Sequence, residues 1–184
     1  MSWKVTTQPT VEPITTAEAK THLKVDGSDE DELIDGYIAA ARQWVENYTS
    51  QKLVTQTVQQ VFESFPTDCL ELRVKPIQSV SSVGYVDTAG DSQTWSSAEY
   101  VTDLISNPAR IAPGIEKEYP STGDQINAIT VTYVVGYGLA ASVPERFKNA
   151  IKLLVGEMYE NRQNSVKKLP TAVECLLMND IDLT

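Results

Sequence analysis

The chain has 184 residues, 41% of them hydrophobic, and a formal net charge of −10. That length and apolar content support a sizeable core in one domain with an appendage, or in two very small domains. The acidic balance argues against a protein that grips nucleic acid, since phosphate contacts draw on Lys and Arg.

Only Cys69 and Cys175 are present, with His22 as the sole histidine, too little for a disulfide framework or a zinc site. Residues 1–6 lack the apolar run of a secretion signal, and nothing later approaches the roughly twenty apolar residues of a membrane span. Synthesis inside the cell, with no membrane partner, is the expectation.

Residues 1–13 are polar and without period, and read as irregular. After Pro13, Thr15-Thr16-Ala17-Glu18 has capping-box spacing and predicts a short helix over 16–23. Ser28 precedes a run of acids, which a helix N-terminus favours. Leu33, Ile34, Tyr37, Ile38, Ala41, Trp44, Val45 and Tyr48 then form one helical stripe. The acids of 26–32 lack the ligand spacing and central glycine of a calcium loop.

The centre is β-rich. In 53–65, Val54, Gln56, Val58, Gln60 and Phe62 alternate with Thr55, Thr57, Gln59 and Val61. The many polar residues suggest a solvated or subunit-facing side, with Gln56 and Gln60 as candidate subunit contacts. Further strands are expected at 70–74, 80–86, 100–104, 110–112 and 129–135, with turns at 87–90 and 106–108. Their close spacing predicts an antiparallel meander. The polar stretch 113–127 reads as a long loop that serves contacts, with Ile115 and Tyr119 as candidates.

The last strand ends in Gly136-Tyr137-Gly138, where positive φ lets the chain leave the sheet. Ser142-Val143-Pro144-Glu145 has capping-box spacing ahead of a stripe of Phe147, Ile151, Leu154, Val155, Met158 and Tyr159, so a helix is expected over 142–162. Gly136, Gly138 and Pro144 thus mark a fold corner. The run Val134-Val135-Gly136-Tyr137-Gly138 has the look of a potassium filter without the membrane helices a channel needs, and no phosphate-binding glycine motif is present.

Gln163-Asn164-Ser165 breaks the helix, and an arm over 163–184 follows. Val173, Leu176 and Leu177 cannot be buried by the arm alone; they need a surface on their own domain or on another subunit. Charge is uneven: 12–35 holds eight acids against two bases, −6, and 145–168 six bases against three acids, +3. Opposite ends suit head-to-tail contact between copies, with solvated faces as the plainer alternative. His22 stands late in a short helix and Glu157 off its helix's apolar stripe, so no catalytic, cofactor-binding or metal-binding residue is assigned. The chain is read as non-enzymatic.

The segment from Pro13 through His22 to Lys24, the acidic gap, the helix from Leu33 to Tyr48 and then Thr49-Ser50-Gln51-Lys52-Leu53 together resemble the opening of head-to-tail connector (adaptor) proteins of tailed phages and prophages. Pro76-Ile77-Gln78-Ser79-Val80, Tyr100-Val101, Val135-Gly136-Tyr137-Gly138, Val143-Pro144 and Tyr159-Glu160-Asn161-Arg162 extend the resemblance over residues 13–162. It implies an α+β fold: N- and C-terminal helices bundled with an antiparallel β-meander, plus a long loop and a C-terminal arm. It also implies one connector domain over 1–162, helical at 14–50 and 142–162 and β-rich at 53–135, before the arm at 163–184.

By the same resemblance the protein is a structural virion component, made in the host bacterial cytoplasm and placed in the neck. A ring of copies, a dodecamer, sits under the portal protein, extends the DNA channel and offers a surface to neck and tail proteins. Double-stranded DNA passes without specific binding, and no cofactor is required. Val173, Leu176 and Leu177 become candidates for docking on the portal or a neighbouring subunit. The acidic end, Asn179-Asp180-Ile181-Asp182, departs from the family pattern. The alternatives are a neck stopper or tail-completion protein, a host regulatory or peptide-binding domain, and an unrecognised hydrolase.

Overall fold

The computed structural model describes residues 2–162 and 171–180; the predicted helix break at 163–165, the basic pair Lys167 and Lys168, and residues 181–184 lie outside them. The chain forms two compact units, one from Met1–Gln8 with Thr55–Gly136 and the other from Pro9–Val54 with Tyr137–Thr184. Where the sequence suggests one domain and an arm, strands and helices gather separately, and the described part of the arm belongs to the helical unit. The α+β class holds.

The helical unit contains α1 (Thr16–Leu23), α2 (Asp31–Thr49), α3 (Glu145–Glu160) and α4 (Thr171–Leu177). Thr15 caps α1 through the expected box: its hydroxyl accepts from the Glu18 amide, and Glu18 accepts from the Thr15 amide at 2.8 Å. α2 starts three residues later than Ser28, with Glu30 at the cap position and no side-chain cap, so Asp31 and Glu32 in the first turn face the helix dipole directly. Ile34, Ile38, Ala41 and Val45 of α2 meet Phe147, Ala150, Ile151, Leu154 and Val155 of α3 in one buried cluster.

A buried carboxylate closes the end of α2. Glu46, with its side chain 1% exposed, accepts from Arg42 at 3.2 Å, from Lys52 at 3.0 Å and from the Leu53 amide at 3.1 Å. Arg42 also donates to Glu12 at 2.7 Å. Ser50 ends the helix in the left-handed region, and the Leu53 carbonyl accepts from the Tyr137 amide at 3.0 Å. The outgoing and returning passes of the chain are thereby paired within the helical unit.

The β unit holds two antiparallel sheets. In the larger, β1 (Ser2–Thr7), β2 (Gln56–Phe62), β8 (Ile129–Val135), β4 (Ile77–Val86) and β5 (Ser92–Trp95) lie in that order; β3 (Leu70–Leu72), β7 (Ala109–Pro113) and β6 (Tyr100–Asp103) form the smaller. This corrects the meander: β8, last in sequence, lies between β2 and β4, because its inward residues Ile129, Val131, Tyr133 and Val135 are fully buried and need a partner on each side. Inward residues of both sheets, Val58, Phe62, Leu70, Leu72, Val83, Ile111 and Val131 among them, share one core.

Two strands go beyond the sequence reading. β1 forms within a stretch read as irregular, and β5 within Ser92-Gln93-Thr94-Trp95. Both are edge strands with mostly exposed residues, so the alternation that betrays a half-buried strand is missing.

Replacing Glu46 removes the buried carboxylate on which Arg42, Lys52 and the Leu53 amide converge, although Arg42 keeps Glu12, and a broken buried pair costs about 3–5 kcal/mol. Glu46→Ala is therefore expected to lower stability by about that amount, read as a shifted denaturant midpoint; a loss under about 1 kcal/mol would contradict this role.

Candidate docking surfaces

Gln56 and Gln60 alternate with Val58 and Phe62 and, against expectation, lie on the inward face of β2, 2% and 0% exposed. The Gln60 amide donates to the Glu71 carbonyl at 2.9 Å, and its oxygen accepts from the Arg73 amide at 3.1 Å and the Tyr133 hydroxyl at 2.8 Å. β3 is only three residues long and has no ladder on this side; Gln60 supplies one. In this fold neither glutamine offers a surface for a second subunit, since a buried amide with satisfied partners is an internal strut.

The loop 114–127 is long but tied down. Gly114 donates to the Glu99 carbonyl at 2.9 Å, Lys117 to Gly114 at 3.0 Å and Gly123 to Val86 at 3.0 Å. The Gly123 position requires glycine: a Cβ there would stand 2.8 Å from the Asp87 carbonyl oxygen. Tyr119 turns inward, stacking on Phe65 at 4.8 Å between ring centres, with Trp95 5.4 Å away. Its hydroxyl donates to the Asp68 carbonyl at 2.9 Å. Of the two loop candidates, then, Tyr119 is an anchor and Ile115, 94% exposed, is the surface group.

A second rigid tip joins β6 to β7. The Asp103 carboxylate accepts from the Ile105 and Ser106 amides, the Ser106 hydroxyl at 2.6 Å and Arg110 at 2.7 Å, which holds it well below the usual carboxylate range. Ile105 is 99% exposed at this tip. Asp103 followed by Ser106 is a turn signal legible in the sequence; the exposed isoleucine carries none.

At the corner, Gly136 and Gly138 take φ of 104° and 115°, the left-handed region expected of them. The Ser142–Glu145 capping box does not form. Ala140–Ser142 makes a 3-10 turn instead, and Pro144 occupies the cap position of α3 with no side-chain cap. The Tyr137 hydroxyl donates to Gln51 at 2.7 Å, and the Gln51 amide donates to the Asp180 carbonyl at 3.1 Å.

The described arm is folded onto its own unit. Val173 and Leu177 are fully buried in the helical core, and Leu176 packs beside them. Arg146 clasps Asp180 with two bonds, 2.6 and 2.7 Å. Of the two surfaces the sequence left open for these residues, the chain's own domain takes them; Met178, 66% exposed, is the apolar group left outside. The other end of α3 is held likewise: Arg162 meets Glu30 at 2.6 Å, and the Tyr159 hydroxyl, ahead of Arg162, keeps the Glu30 carboxyl below its ordinary range. His22 lies against α3 where Gly156 leaves room. Among the described residues no group of three His, Cys, Asp or Glu is placed to hold a metal ion, and no helix is long and apolar enough to cross a membrane.

Among the described residues, polar groups such as Gln60 and Tyr119 brace the fold from within, while Ile105 and Ile115 stand exposed on hydrogen-bonded loops. The family model for phage gp6-like head-tail connector proteins matches residues 13–107, just over half of the chain, and the chain belongs to that family. Its role is that of a structural head-tail connector. A comparison with curated proteins finds no match. Among solved structures, the fold is similar over 100% of this chain and 97% of each matched chain to proteins in the neck of an empty GTA particle computed with C6 symmetry (TM-score 0.81, 19% identity), the virion of the native gene transfer agent (GTA) particle (0.82, 19%) and the neck of the native GTA particle computed with C12 symmetry (0.79, 22%).

Two outcomes follow from the geometry. Gln60→Leu strands the Glu71 carbonyl and the Arg73 amide and removes the acceptor of the Tyr133 hydroxyl, so the isolated protomer is expected to lose about 2–4 kcal/mol in chemical denaturation; a variant of unchanged protomer stability would favour a subunit-contact role instead. Burial pushes the Tyr133 hydroxyl from 10 up to about 12. The unfolded tyrosine ionises first, so this contribution is whole below about pH 10 and fades towards pH 12, by about 2.7 kcal/mol in all. The difference in tyrosine absorbance between the protein and its Tyr133→Phe variant, followed with circular dichroism, should show Tyr133 ionising together with unfolding; a difference signal that ionises near pH 10 while the protein stays folded would refute its burial.

Proposed function

We propose that this connector assembles as a ring of copies, a dodecamer, in the neck of a virion, under a portal protein whose channel it extends and above the neck or tail proteins it receives. The observation that carries this is the likeness over the full chain to neck proteins of particles treated with sixfold and twelvefold symmetry. Synthesis in the host cytoplasm and incorporation into the virion follow from the same reading.

A ring of this kind needs heterologous, side-to-side contacts rather than a self-complementary patch. Ile115 on its tethered loop and Ile105 on its braced tip are the groups to make contacts, since each holds an apolar side chain in water on a backbone that cannot fold it away. Gln56, Gln60 and Tyr119 act within the protomer. The net charge of −10 suits a conduit for double-stranded DNA: an acidic wall repels the phosphates, where a basic one would retain them. Docking of the arm on the portal would require Val173 and Leu177 to leave their own core, so Met178 and the exposed side of α4 are the better contact.

Electron microscopy of the purified protein mixed with its cognate portal protein tests the reading. The expected result is portal particles extended by an added ring of twelvefold symmetry. Portal particles left bare at saturating connector would overturn it.

A further inference from the structure

Strand β1 holds its sheet mainly through a backbone ladder, with Val5 packed on the core and the Thr6 hydroxyl donating to the Thr57 carbonyl at 3.2 Å. It pairs with β2 from Ser2↔Val61 to Thr7↔Thr57, yet five of its six residues are exposed and only Val5 is partly buried. Trp3 and Val5 stand opposite Gln60 and Val58, the inward residues of β2, so the apolar side of β1 is its core side. Even so, Trp3 remains 45% exposed. β2, by contrast, needs a partner on this edge: without β1 its outer amides and carbonyls would form an open edge next to a fully buried face.

Between β1 and the helical unit the chain has no regular structure as far as Glu12, which Arg42 holds at 2.7 Å. Residues 8–13, Gln8-Pro9-Thr10-Val11-Glu12-Pro13, contain no helix or strand and carry two prolines. They lead into the helical unit, so β1 reaches the remainder of its own unit only after the whole of Pro9–Val54. Fully extended, the four residues before Glu12 reach about 13 Å. A strand with these properties makes the same ladder on the β2 of another copy, with no hydrogen bond lost, which is the condition for low-cost exchange between protomers.

The outer edge of β1 is closed to further strands. Lys4 lies in it and the register shifts between Val5 and Thr7, two devices that stop edge-to-edge growth. Exchange therefore ends with β1 and does not propagate into a fibre.

We propose that in the assembled ring residues 2–7 of each copy are seated on β2 of the neighbouring copy, so that every five-stranded sheet is completed by a strand from next door. This rests on the ring reading above. It makes subunit contact a matter of backbone hydrogen bonds and draws neighbouring copies into one fold, while a free protomer keeps the strand for itself.

Lys4 and Gln59 are direct partners in the ladder, close enough for a disulfide in either type of antiparallel pair. Two single variants, Lys4→Cys and Gln59→Cys, each in a background with Cys69→Ser and Cys175→Ser, are mixed, assembled on portal particles, oxidised and run on a denaturing gel without reductant. Neither variant can form this bond within itself. Exchange predicts disulfide-linked dimers from the assembled mixture, absent when the same mixture is oxidised as free protomers, and a ladder of higher multiples from rings of the double variant. Rings that yield no linked dimer, while the double variant closes its disulfide only within one chain, would overturn exchange and leave the ring reading intact. Failure of any ring to form overturns both. Ser2→Cys with Val61→Cys, the next pair but one in the ladder, repeats the test if the first pair disturbs folding.

Discussion

The carboxylate of Glu46 is the point on which the helical unit turns. Buried ion pairs are costly to desolvate, and here Arg42, Lys52 and the Leu53 amide converge on a carboxylate whose side chain is 1% exposed. The amide is that of Leu53, whose carbonyl in turn receives the returning chain at Tyr137. The end of α2, the exit toward the strands and the re-entry toward α3 are thus set by one group. Gln51 and Asp180 continue the same line to α4, where Arg146 completes it.

The β unit has its own counterpart in Gln60. A five-stranded and a three-stranded sheet share a core, and β3, too short to hold itself, is fastened by a glutamine that serves a carbonyl, an amide and a tyrosine hydroxyl. Both units therefore use a buried polar side chain to hold backbone that no ladder reaches. Such a group is stabilising only when all its partners are in place, and it then specifies a single arrangement. For a connector, whose work is to present fixed surfaces, a single arrangement is the functional requirement.

Much of this was legible in the sequence. The capping box at Thr15, the unbroken stripe of α2, the alternation of β8 and the positive φ of Gly136 and Gly138 are local properties, and local chemistry decides them. Gln56 and Gln60 read as surface residues from sequence because alternation tells which residues share a face and not which face is buried; their neighbours Val58 and Phe62 mark that face as the inner one. Ser142 has cap spacing, but Pro144 and the 3-10 turn take the helix start two residues further on. β1 and β5 were silent or nearly so, since an exposed edge strand is held by its partner's backbone and needs no pattern of its own.

What the sequence alone determined was most of the inventory: the main helices and the inner strands, the acidic balance of the chain, and a resemblance to connectors that the family match bears out. Only the tertiary structure decided the order of the sheet, with β8 between β2 and β4, the inward turn of Gln60 and Tyr119, and the return of Val173 and Leu177 to their own core. The reason is one of range. Periodicity and caps act across a few residues, whereas the bond of Gln60 with Tyr133 spans 73 residues and β1 meets β2 at least 50 residues on, and no local signal names such a partner.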